Sequence, residues 1–182
     1  MVSECDLLVK YIEKCFVCPP NVFEELVCRV YESRRRGFRR VHLVPKHIAS
    51  IDLGDVEVVA EGALVGWVKG RNFVPSTQLF ELLKELGCEN RCWVVAEEHG
   101  VKAVLYGNDL LVTSTKEISP YAKKGWYVAI VDPSDGRVVA VGRLCIDSEE
   151  LKRAREEGRM LEVVVKNVFD LGMAIRREEV FD

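Results

Sequence analysis

Apolar residues near the start of the chain recur every three or four places. In ECDLLVKYIEKCF (4–16), Leu8, Tyr11, Ile12, Cys15 and Phe16 share one side of a helix turning about 100° per residue, which predicts an amphipathic helix. The prolines of VCPPN end it, because proline has no amide to continue the ladder. The period then shortens to two. ELVCRVYE (25–32) and RVHLVP (40–45) alternate valine with polar residues, as hairpin strands do, and SRRRGF (33–38) lies between them as the turn. KHIASID (46–52) predicts a short helix, and DVEVVAEGALVGWVKGRNFVPS (55–76) predicts strands broken by glycines. TQLFELLKELG (77–87) is the clearest helix, with Leu79, Leu82, Leu83 and Leu86 on one face. Ser76 or Thr77 is its cap and Gly87 its end.

Beyond CWVVAEE (92–98) the texture changes. Short Val-rich segments alternate with turn signals in KAVLYGND (102–109), GWYVAIVDPSDGRVVAVGRLCI (125–146), LEVVVKNV (161–168) and MAIRRE (173–178). Many short strands at this spacing predict a small barrel, with DPSDG (132–136) as a hairpin turn. One helix interrupts them, SEELKRAREEGR (148–159), with Ser148 as its cap. The fold class is therefore α+β. An antiparallel sheet packed with helices occupies residues 1–92, and a barrel occupies 93–182.

Charge adds one question. The chain carries 26 Lys+Arg and 29 Asp+Glu, a formal net charge of −3. Residues 1–92 hold 13 of each sign, and residues 93–182 hold 13 basic against 16 acidic. Net charge therefore does not attract nucleic acid to either half, and any such binding rests on local clusters. The densest cluster is SRRRGFRR (33–40): Arg34, Arg35, Arg36, Arg39 and Arg40 with Phe38. Three readings stay open: a solvated hairpin tip that repels self-association, an anionic or partner footprint with Phe38 stacking on a base, or a nuclear address.

Seven cysteines (5, 15, 18, 28, 88, 92 and 145) sit mostly in apolar runs. Buried thiols in a reducing compartment fit their odd number better than a disulfide framework. Cys15 with Cys18 and Cys88 with Cys92 could together offer zinc four thiolates, or one pair could be oxidised in a thermophile. No metal and no cofactor is expected. No apolar run spans a bilayer and the N-terminus is broken by charge, so the expectation is a cytoplasmic protein without membrane contact. Catalysis is not expected either. No phosphate-cradling loop, zinc-protease helix or nucleophile elbow occurs, and His42, His47 and His99 have no nucleophile beside them.

AVLYGNDLL (103–111), VVAVGRLCI (138–146) and FDLGMAIRREE (169–179) resemble a PUA domain, a small RNA-binding pseudo-barrel. EGALVGWVKGRNFVPSTQLFELLKEL (61–86), followed by Trp93, resembles the first domain of the Nip-seven family of large-subunit ribosome-biogenesis factors. That resemblance implies a monomeric, non-catalytic protein of an archaeal cytoplasm (nucleolar in a eukaryote). It would bind pre-ribosomal RNA, with uridine-rich segments as candidates, and dock biogenesis or RNA-processing proteins through its N-terminal domain. It also points to Lys152, Arg153, Arg155 and Arg159 as RNA contacts. Lys152, Arg155 and Arg159 would share one face of an unbroken helix. The plain alternative is a self-neutralised helix, since Glu149 precedes Arg153 by four residues and Lys152 precedes Glu156 by four. At the level of function the alternative is a protein–protein adaptor with little RNA affinity. In LYGN, Gly107 and Asn108 suit a tight turn, and Gly142 and Gly172 are expected to serve backbone fit.

Overall fold

The computed structural model describes residues 3–33, 37–52, 54 and 60–176. The chain divides between Glu89 and Asn90 into two compact units.

The first unit opens with helix α1 (Glu4–Cys15). Ser3 caps it reciprocally: its hydroxyl accepts the Asp6 amide at 3.1 Å, and the Asp6 carboxylate accepts the Ser3 amide at 2.8 Å. After the short strand β1 (Phe16–Val17) comes a four-stranded antiparallel meander. It consists of β2 (Leu26–Glu32), β3 (Phe38–Pro45), β4 (Ala63–Lys69) and β5 (Asn72–Pro75), in that spatial order. The hairpin expected at 25–45 forms in one register, from Leu26 opposite Pro45 to Glu32 opposite Arg39. The short helix α2 (Lys46–Ala49) follows β3. Helix α3 (Thr77–Glu85) is capped by Ser76, whose hydroxyl accepts the Leu79 amide, and β6 (Glu89–Asn90) follows it.

The core of this unit is aromatic. Tyr11 of α1 meets Phe73 of β5 at 5.5 Å between ring centroids, and Phe16 meets Phe80 of α3 at 5.5 Å. Leu8, Ile12, Leu79 and Leu83 complete the helix faces turned to it.

The cysteines depart from expectation. Cys5 of α1 is bonded to Cys28 of β2, Cys18 is bonded to Cys88, and Cys15 and Cys92 are also oxidised, leaving Cys145 as the free thiol. The first bond joins helix to strand, with Cα atoms 6.0 Å apart, and the second joins the segments that follow β1 and α3, with Cα atoms 4.1 Å apart. Sulfurs held this way are not thiolates, so the four considered for zinc do not offer its ligand set.

The second unit begins with β7 (Trp93–Ala96) and α4 (Glu98–Leu105). Strand β8 (Leu110–Leu111), a 3-10 turn (Val112–Ser114) and β9 (Thr115–Ile118) follow. Then come β10 (Tyr127–Val131), β11 (Val138–Leu144), α5 (Ser148–Glu156), β12 (Val163–Asp170) and α6 (Met173–Arg176). One six-stranded sheet runs β8-β12-β11-β10-β7-β9. The β7–β10 pair is parallel and the others are antiparallel. Its outermost strands, β8 and β9, are consecutive in the chain, so the sheet curls into a nearly closed barrel around Val94, Leu110, Ile118, Val128, Ile130 and Val165.

Two segments differ from their reading as strands. Residues 98–105 form a helix, which places His99 in its first turn, and MAIR forms the one-turn α6. Short apolar runs carry no period long enough to separate helix from strand. The cap of α5 is Asp147, one residue before Ser148, and its carboxylate accepts the Glu150 amide at 2.9 Å. Among the described residues no helix is long and apolar enough to cross a membrane.

Candidate nucleic-acid interface

Helix α5 spends most of its cationic charge internally. Lys152 donates to Glu149 at 2.9 Å, and that carboxylate holds the ammonium above its usual pKa range. Arg155 donates to the Thr115 carbonyl at 2.6 Å and the Lys116 carbonyl at 3.2 Å, which fastens the helix to β9. Arg159 lies beyond the helix end and off the expected shared face. It pairs with Glu157 at 2.7 Å and with Glu162, and the Glu157 hydrogen bond leads the effects that raise its pKa. Arg153 is exposed and, among the described residues, makes no side-chain ion pair or hydrogen bond. Four cations therefore amount to one uncommitted guanidinium.

The arginine cluster of the first unit is also partly committed. Arg34, Arg35 and Arg36 lie outside the described residues. Arg39 pairs with Glu4 of α1, and Arg40 donates to the Glu32 carbonyl at 3.2 Å. Phe38 is not presented for stacking as expected. It is 7% exposed, with the Lys69 ammonium 4.9 Å from its ring centroid.

What the sequence did not bring together is the relation between LYGN and DLG…IR. Helix α4 ends at Leu105, and Gly107 continues at φ 87°, a conformation that costs a side-chained residue about 1–2 kcal/mol. Asn167 of β12 donates from Nδ2 to the Val104 carbonyl at 2.9 Å and to Asp170 at 3.1 Å, and its amide donates to Asp109 at 2.9 Å. Asp170, 2% exposed, accepts both terminal nitrogens of Arg176, which also donates to the Leu105 carbonyl. A side chain at Gly172 would strike that carbonyl and the Arg176 guanidinium, and one at Gly142 would strike Val165 and the Lys166 carbonyl. Both glycines serve close backbone approach.

This network underlies a cavity of about 480 Å3, lined by Lys102, Leu105, Tyr106, Leu171, Ile175 and Arg176, with Val139 and Gly172. Tyr106 is 77% exposed at its lip and Ile175 85%. The lining is apolar with two cations and no carboxylate, and an aromatic ring stands on a loop whose approach is hydrogen-bonded by Asn167 and Arg176. Such a site offers a planar base a stacking surface and a phosphate a lysine.

Residues 92–179 match the family model described as UPF0113 PUA domain, and the nearly closed, barrel-like sheet of the C-terminal unit agrees with that match. Solved structures share the fold. A hypothetical protein of Pyrococcus horikoshii superposes with TM-score 0.59 at 17% identity, over 81% of this chain and 75% of its own. A conserved PUA domain protein of Thermoplasma acidophilum gives 0.58 at 16% identity, over 84% and 82%. A PUA domain from Aeropyrum pernix, solved with tartrate, gives 0.56 at 17%, over 95% and 85%. No curated protein sequence shows a significant match.

Proposed function

We propose that this chain binds RNA through its PUA domain and catalyses no reaction of its own. PUA domains are a common RNA-binding module, and the observation that carries the reading is the position of Tyr106. Its ring stands exposed at the lip of the 480 Å3 cavity, beside Lys102, on a loop fixed through Asn167, Asp170 and Arg176. Base stacking on such a ring is worth about 1–3 kcal/mol and tolerates any base. Within this reading Arg153 is the α5 residue able to meet a phosphate, while Lys152, Arg155 and Arg159 shape the surface around it.

The likeness of residues 61–86 to the Nip-seven family supports large-subunit assembly as the process and pre-ribosomal RNA as the target. The protein would then work as a monomer in the cytoplasm, with its N-terminal unit docking other assembly or RNA-processing factors. One observation favours a protein-adaptor role for that unit. A groove of about 280 Å3 lies between α1 and β2, lined by Leu8, Ile12, Leu26 and Leu43, with Val9 half exposed on its rim.

Fluorescence anisotropy of the full chain with a labelled uridine-rich strand, over a salt series, tests the RNA reading. Binding that weakens with salt, and weakens about tenfold or more in a Tyr106→Ala/Lys102→Ala variant, is expected. An unchanged variant moves RNA off the cavity. No binding by the parent chain leaves the adaptor role.

A further inference from the structure

Another surface of the PUA domain remains unassigned. The segment PYAKKGWY (120–127) interleaves three aromatic rings with two lysines and contains no acid. We propose that this segment, with the exposed row of β11 and β12 beside it, is a second contact surface for single-stranded RNA, separate from the Tyr106 cavity. The proposal rests on the RNA-binding reading of the domain and extends it to a different face.

Three observations carry it. The rings are already set against cations: the Arg91 guanidinium lies 4.9 Å from the centroid of Tyr121, which is 57% exposed, and the Lys123 ammonium lies 5.8 Å from that of Trp126. The charge then continues across the sheet. Tyr127 of β10 stands opposite Arg143 of β11, and Arg143 opposite Lys166 of β12. Opposed residues share a face, so these three form one row, and Arg143 and Lys166 are exposed. Of the carboxylates nearby, Glu150 pairs with Lys124 at 3.6 Å, while residues 119–128 and 138–145 contribute none.

The segment is also held in place at both ends. The fully buried Ser119 hydroxyl donates to the Arg91 carbonyl at 2.6 Å and accepts the Tyr121 amide at 3.3 Å. At the other end the Gly125 amide donates to Leu144 at 2.7 Å, and the Leu144 amide donates to Trp126 at 2.8 Å. A surface ordered before binding loses less entropy when a ligand arrives.

Single-stranded RNA fits this chemistry better than an acidic protein. It brings both a π-face for Tyr121 and evenly spaced phosphates for the cation row, and a duplex would hide its bases. The surface is distinct from the cavity because Val139, which lines the cavity, and Arg143 are four residues apart on β11, about 13 Å along the strand.

The test uses the full chain and a labelled oligouridine carrying 4-thiouridine. Photocrosslinked peptides are mapped, and anisotropy is read over a salt series for the parent, Tyr121→Ala, Tyr106→Ala and a Lys123→Ala/Arg143→Ala/Lys166→Ala variant. Expected are crosslinks within 120–127 and about a tenfold loss in Tyr121→Ala. In the triple variant the slope of log affinity against log salt should fall by about two. A Lys123→Arg/Lys166→Arg variant should bind as the parent does. Crosslinks at Tyr106 alone, with affinity unchanged in Tyr121→Ala and the triple variant, overturn this surface and leave the cavity reading intact. Displacement by a glutamate-rich peptide without any crosslink in 120–127 overturns it in favour of an acidic protein. A parent chain that binds no RNA removes both.

Discussion

Arg176 holds Asp170 through two parallel hydrogen bonds, Nη1 to Oδ1 at 3.1 Å and Nη2 to Oδ2 at 3.0 Å, with the carboxylate side chain 2% exposed. The same guanidinium reaches the Leu105 carbonyl, so one fork joins the end of β12 to the loop that presents Tyr106. Removing one member of a buried pair strands the other, at about 3–5 kcal/mol. Asp170→Ala should therefore lower the melting temperature by roughly 10 °C or more and weaken RNA binding. Lysine at 176 cannot form both bonds, so Arg176→Lys should recover little of the stability. Thermal unfolding followed by circular dichroism checks both.

Two arginines of α5 should separate cleanly. Arg155→Ala loses the bonds to the Thr115 and Lys116 carbonyls and should cost about 1.5 kcal/mol in urea unfolding. Arg153→Ala should stay within about 0.5 kcal/mol of the parent. If Arg153 is the phosphate contact, only its loss should reduce the salt dependence of binding without changing stability.

Oxidation state should be visible in mass and in stability. Alkylation of the folded chain without reductant should label one thiol, Cys145, and alkylation after reduction and unfolding should label all seven. Loop closure over 23 residues for Cys5–Cys28 and 70 for Cys18–Cys88 predicts losses of about 3 and 4 kcal/mol on reduction. Denaturant titration with and without reductant measures this, and equal midpoints would contradict the cross-links.

His42 should make the first unit sensitive to acid. Burial lowers its pKa from the ordinary 6.5 and Arg40 adds to that, while the Glu61 backbone carbonyl, 2.9 Å from Nδ1, and the Glu61 charge oppose them. Because a carbonyl only accepts, Nδ1 carries the proton in the neutral ring. Below pH 6.5 the unfolded chain takes up a proton that the folded chain resists, so stability falls with pH until the lowered folded value is reached. Above 6.5 both states are neutral and His42 contributes no slope. Melting curves from about pH 7.5 to 5 should show a loss that is smaller in His42→Gln.

Local pattern revealed the elements whose burial repeats within one turn or one pleat. The face of α1, the 25–45 hairpin, α3 with Ser76 and the DPSDG turn all belong here, since each records its environment in a few adjacent residues. Helix α4 escaped because eight residues of mixed valine and charge satisfy either period. The site escaped for a different reason. Arg176 reaches Leu105 across 71 residues, Asn167 reaches Asp109 across 58, and Arg155 reaches Thr115 across 40. No periodicity encodes such meetings. They follow only from the barrel's closure, as do cysteine partners 23 and 70 positions apart. Resemblance supplied the two motifs but not the fact that they touch.

The adjacency of β8 and β9 in the chain, at opposite ends of one sheet, has a mechanical consequence. A ribbon with two free borders can unravel from either one, whereas here a three-residue clasp, Val112–Ser114, makes the sheet a hoop. Peeling β9 from β7 pulls directly on β8 and its seam with β12, so neither seam can yield alone. Slack inserted at the clasp would restore two independent borders, and amide exchange along β8 and β9 would then outpace that of β10 and β11.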